Sequence, residues 1–141
     1  MTAGKKKPEG PPTMEELFGP VISRYTRAQA IEDGFLVDVS EMAREAGIRF
    51  PVALTRAVWD EYVTPDPRSK KYGQSESGRL WDTLWMFSVA ARQASDAASV
   101  FLYRVIYVLK EKQRRTITLK AHYGPGDEGE PVITISKPDE D

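Results

Sequence analysis

There is no cysteine anywhere in the 141 residues. That removes disulfides, thiol nucleophiles and thiolate metal sites together. Histidine occurs once, at His122, so the chain alone can build neither a multi-histidine metal site nor a histidine pair. Neither sign of charge dominates: 20 Lys and Arg stand against 21 Asp and Glu, for a net charge of −1. A molecule so balanced has no overall field to draw in a polyanion. No apolar run approaches the roughly 20 residues of a membrane-spanning helix. The lysines of MTAGKKKPEGPPT are not followed by the apolar stretch of a secretory signal. The expected compartment is the cytoplasm, with no membrane partner, no metal and no cofactor.

What is present suits one domain with a real hydrophobic core. Residues 1–13 combine three lysines, three prolines and two glycines with no large apolar side chain beyond Met1, and read as a disordered tail. Residues 137–141, KPDED, read as an acidic tail, which leaves 14–136 as a single domain.

The first half of that domain reads helical. Thr26 and Gln29 have the spacing of a capping box for RAQAIED, and Gly34 can stop that helix. FLVDV at 35–39 reads as a short strand. Ser40 is then expected to cap EMAREA, with Gly47 ending it, and Pro51 to open a helix carrying Val52, Leu54, Val58, Trp59 and Tyr62. RLWDTLWMFSVAARQA at 79–94 is the strongest helix, with Leu80, Leu84, Phe87, Ala91 and Ala94 at three- and four-residue steps. Trp81 and Trp85 flank that stripe and are expected to be buried, each worth about 3–5 kcal/mol on truncation to alanine.

The second half reads as strands. VFLYRVIYVL at 100–109 is apolar on both faces, the pattern of a central strand. TITLKAHY at 116–123 alternates, with Ile117, Leu119, Ala121 and Tyr123 on one face, and VITIS at 132–136 offers Ile133 and Ile135. Short connectors between them favour an antiparallel meander. The expected class is α+β: several short helices plus one long core helix, packed on a small antiparallel meander sheet.

Residues 40–59, SEMAREAGIRFPVALTRAVW, resemble a helix-turn-helix, with Thr55 and Arg56 as the only plausible base readers. Residues 38–63 hold five acids (Asp38, Glu41, Glu45, Asp60, Glu61) against three arginines (Arg44, Arg49, Arg56), which argues against a phosphate-facing module. The glycine run GPGDEGEP at 124–131 joins two strands and carries three acids, so it reads as a hairpin turn and not as a phosphate cradle. Asp82, among tryptophans, invites an ion pair with Arg79 three residues earlier. The candidate contact residues are the charges and the ring of the polar stretch 64–78, namely Arg68, Lys70, Lys71 and Tyr72, and those of the KEKQRR turn, Lys110, Lys112, Arg114 and Arg115.

Three stretches together resemble a known family: VISRYTRAQAIEDGFLVDVSEMAREAGIRFPVALTRAVW, SGRLWDTLWM and TLKAHYGPGDEGEPVITI. It is a family of small uncharacterised proteins encoded on bacterial plasmids, conjugative and integrative elements and phages, and the similarity covers about residues 21–136. The resemblance implies no catalytic residue. It implies a setting in which accessory proteins often counter restriction or CRISPR defences by binding a host protein. The expectation is thus a non-enzymatic accessory protein of a mobile genetic element, its partner a host protein or protein complex. The alternative is a small nucleic-acid-binding or transcriptional regulatory protein.

Overall fold

The computed structural model describes residues 25–65, 75–94, 98–108 and 113–140. The capping box opens the first helix, α1 (Arg27–Asp33). Thr26 Oγ1 accepts from the Gln29 N–H at 3.0 Å, and Gln29 Oε1 accepts from the Thr26 N–H at 2.9 Å. Gly34 ends the helix at φ 87°, a left-handed conformation that a side chain would strain. Strand β1 (Leu36–Asp38) follows, then α2 (Ser40–Glu45), with Gly47 at φ 89° just beyond it. Ser40 does not cap that helix. Its hydroxyl donates to Asp38 at 2.6 Å and accepts from the Val52 N–H at 3.0 Å, tying the helix start to the next strand.

That strand is the first correction. Residues 52–55, expected as the front of a helix, form β2 (Val52–Thr55). Val52, Ala53 and Leu54 are all buried, so both faces are covered, and a four-residue apolar run carries no period that separates strand from helix. Pro51 stands before the strand, its carbonyl accepting from the Ile133 N–H at 2.9 Å. The helix begins later: Thr55 Oγ1 accepts from the Val58 N–H at 3.3 Å and caps α3 (Arg56–Val58), which runs on as a π-helical turn, Trp59–Val63. The Ser40–Trp59 stretch is therefore not a helix pair.

The long helix α4 (Glu76–Gln93) starts on the Ser75 cap, whose hydroxyl accepts from the Gly78 N–H at 3.0 Å. Strands β3 (Val100–Val108), β4 (Arg114–Pro125) and β5 (Pro131–Ser136) complete the described fold. They form the expected antiparallel meander, but the sheet as a whole is mixed. Its order is β1-β2-β5-β4-β3, with β5 parallel to β2 and every other pair antiparallel. Because β5 returns to lie against β2, β3, like β1 at the other side, becomes an edge strand among the described residues. Its apolarity on both faces had indicated a central one.

Alternation along β4 sends Ile117, Leu119 and Ala121 inward as expected, while Tyr123 is exposed near the strand's end. Inward residues of the sheet meet Leu80, Leu84 and Phe87 of α4. The helix is less central than its sequence suggests. Trp85 is 42% exposed, Met86 is 37% exposed, and Trp81 is half-buried in a stack with Trp85 at 5.9 Å between ring centroids.

On the opposite face, α1 is held by two remote groups. Arg27 donates to Thr134 Oγ1 at 2.7 Å and to the Ile133 carbonyl at 2.8 Å. Asp127, in the hairpin between β4 and β5, accepts from the N–H groups of Arg27 (2.7 Å) and Ala28 (3.0 Å). A carboxylate on two unpaired N–H groups at a helix start is a charge-assisted cap supplied from a hundred residues away. Asp127→Ala is expected to cost about 1–2 kcal/mol in denaturant unfolding, and Asp127→Asn less than that. Equal stability of all three proteins would show that α1 does not depend on this contact. The 137–140 segment also folds back: Glu140 accepts from Thr55 Oγ1 at 2.7 Å and the Lys137 N–H at 2.8 Å, and its carbonyl accepts from Lys120 Nζ.

Candidate functional site

The candidate contact residues divide sharply. Arg68, Lys70, Lys71 and Tyr72, and also Lys110 and Lys112, lie outside the described residues. Arg114 and Arg115 open β4 opposite Val108 and Tyr107, and both are exposed. Thr55 and Arg56 do not present a reading helix. The Thr55 hydroxyl is committed to Val58 and Glu140. Arg56 donates through Nε to the Gly34 carbonyl at 2.8 Å and lies 3.7 Å from Asp60 in an exposed pair.

The polar cluster around α4 is also rearranged. Arg79 is buried, and its guanidinium donates to the carbonyls of Tyr62 (3.1 Å) and Val108 (2.9 Å), joining α3's turn to the end of β3. Asp82 remains exposed, and partial burial pushes its carboxyl above the usual aspartate value. Below Arg79 runs a buried chain of hydroxyls. Thr83 Oγ1 donates to the Arg79 carbonyl at 2.8 Å, so the 2.5 Å contact with Tyr107 has the tyrosine as donor. Tyr103 donates to the Thr83 carbonyl at 3.1 Å. Arg79, Thr83, Tyr103 and Tyr107 each have a structural partner, and together they brace helix against sheet.

The surface that stands out is the outer side of β3. Register places Val100, Leu102, Arg104 and Ile106 outward, beside His122, Lys120, Thr118 and Thr116 of β4. Val100 is 48% exposed, Leu102 59% and Ile106 56%. Arg104 and Arg114 are exposed on the same side. Between this strand and α4 runs a groove of about 560 Å³, lined by Met86, Val89 and Ala90 on the helix and by Leu102 and Arg104 on the strand. A nine-residue edge strand with aliphatic side chains in water is a template for another strand. The signal for it lay in the sequence as apolarity on both faces of 100–109. It could be read as an exposed edge only once β5 was known to pair with β2.

Among the described residues, no group of carboxylates and histidine is placed to hold a metal ion, and no helix is long and apolar enough to cross a membrane. No curated protein and no solved structure matches the chain. A model of one protein family does match, over residues 14–141, and the chain belongs to that family, a family of unknown function (DUF6573).

Proposed function

We propose that the protein acts by binding and not by catalysis, as an accessory protein of a mobile genetic element that engages a host protein, in the manner of proteins that counter host defence. The observation that carries the binding reading is the β3 edge, with Leu102 and Ile106 both more than half exposed beside a groove along α4. A partner strand added there gains main-chain hydrogen bonds along β3, and its alternate side chains bury Leu102, Ile106 and the Met86–Ala90 wall of the groove. Arg104 and Arg114 on the same side favour a partner segment that carries acidic residues. Arg114, a candidate from the KEKQRR turn, lies on the same side of the sheet as the apolar edge. The mobile-element setting rests on the sequence resemblance alone.

The test is affinity capture from the native host with the full chain, compared with Leu102→Thr/Ile106→Thr. Threonine keeps the preference for a strand while removing the apolar surface, so stability is expected to change by no more than about 1 kcal/mol. Capture of a specific host protein is expected to fall at least about tenfold, roughly 1.4 kcal/mol. Undiminished capture by the folded variant excludes this edge. Nucleic acid that copurifies and washes off with salt favours the regulatory alternative.

A further inference from the structure

A second concavity borders a different face of the same C-terminal half of α4. It is a cleft of about 440 Å³ between the turn that follows α2, the C-terminal half of α4 and the ends of β3, β4 and β5. Its floor is aromatic and closed: Phe87 and Phe101 stack at 5.7 Å with rings 19° apart, over buried Ala121 and Ile133. At its mouth Phe50 and Tyr123 meet edge to face at 5.5 Å, and both are substantially exposed, at 38% and 42%. Aromatic rings left in water at the rim of an apolar hollow are unusual unless something covers them.

Among the described residues, the charges that line the cleft are of one sign. Arg49 and Arg92 line it, and no aspartate or glutamate is among its described lining residues, in a chain whose acids outnumber its bases. The Arg92 guanidinium also lies 5.9 Å from the centre of the Trp85 ring, which is outside the cleft lining. His122 is also among the lining residues, but strand alternation turns its imidazole to the opposite face, where it lies near Gly124. The cations at the cleft are therefore the two arginines.

We propose that this cleft is a binding site for a small aromatic anion, its ring system seated against Phe50, Phe101 and Tyr123 and its carboxylate or sulfonate group facing Arg49 and Arg92. The volume falls within the ordinary range for small-molecule sites, and an apolar wall with a few fixed polar groups is their usual construction. Arginine supplies forked N–H donors that match a planar or tetrahedral oxyanion. The cleft shares no lining residue with the groove at the β3 edge, so it stands or falls independently of the partner proposed there.

The probes are anilinonaphthalene sulfonate, an aromatic anion that fluoresces when shielded from water, and neutral phenyl naphthylamine, which has the same ring system without the sulfonate. The folded full chain is expected to bind the anion at one site. Arg49→Gln/Arg92→Gln is expected to weaken the anion at least about tenfold and leave the neutral amine unchanged, since glutamine keeps the hydrogen-bonding character but not the charge. Ala91→Trp, from an exposed position that lines the cleft, should fill it and abolish both signals. Unfolding midpoints of all variants establish that each is folded. Absence of anion binding to the wild-type chain overturns the proposal. So does equal anion affinity in the double glutamine variant, or binding that survives Ala91→Trp.

Discussion

Leu84→Ala is expected to cost about 2–5 kcal/mol, while Trp85→Ala, one residue on, costs only about 1 kcal/mol. The ordering is the reverse of what side-chain size suggests. Leu84 has no exposed surface and sits at the centre of the core that joins α4 to the sheet. Truncation there removes the transfer free energy of the side chain and leaves a cavity that neighbours such as Phe87 and Tyr103, fixed by ring contacts at 5.8 Å, cannot relax to fill. Trp85 is 42% exposed, and what it loses is mainly its stack on Trp81 and the Arg92 contact. Urea unfolding of the two variants measures the difference directly. A Trp85→Ala variant destabilised as much as Leu84→Ala would place the tryptophan in the core and rotate α4 about its axis relative to the structure described here.

The tryptophans illustrate why α4 was only half legible. Its stripe of Leu80, Leu84 and Phe87 follows helical spacing and was readable, but the residues flanking a stripe can lie on either side of the waterline. Which side depends on what the sheet presents, and the sheet edge beneath α4 stops at β3. Ala91 and Ala94 continued the stripe in sequence, yet Ala91 is exposed, because the last turns of α4 overhang the aromatic cleft.

Local signals were readable wherever a backbone group is satisfied by a near neighbour. The Thr26–Gln29 box, the left-handed Gly34 and Gly47, the alternation of Ile117 to Ala121 and the 124–131 hairpin are all of this kind. Signals carried by remote partners were not. The Ser40 hydroxyl looked like a helix cap and went to Val52 instead. Asp127 looked like one more acid in a turn and caps a helix a hundred residues earlier. The 52–55 run is not legible as a strand because one buried on both faces loses the period that identifies it, and β3 is not legible as an edge because exposed aliphatics imitate buried ones in sequence. For the sites, the arginines at 114 and 115 were visible as charge, whereas the apolar half of that surface became visible only with the strand order.

Alkaline pH is expected to destabilise the fold through Tyr107, by about 2–3 kcal/mol between pH of about 10 and 12. The side chain is 1% exposed, and burial pushes its phenol up from 10.0 to about 12. In the unfolded chain the phenol loses its proton near its ordinary value of about 10, while in the fold it stays neutral for roughly two further pH units. Below pH 10 both states are protonated and the full stability is present. Between about 10 and 12 only the unfolded state ionises, so it is the state favoured, and stability falls as pH rises. Tyr103, fully enclosed and shifted in the same direction by burial, steepens the fall. Tyr107→Phe separates this effect from every other alkaline titration. The variant is expected to lose roughly 0.5–1.5 kcal/mol at neutral pH, the net worth of the hydrogen bond to Thr83, and then to decline less steeply than the wild-type chain above pH of about 10. The two stability curves should converge by about pH 11 and cross before pH 12. Curves that stay parallel across that interval would mean the Tyr107 hydroxyl reaches water in the folded chain, and the buried run from Arg79 through Thr83 to Tyr107 would have to be abandoned.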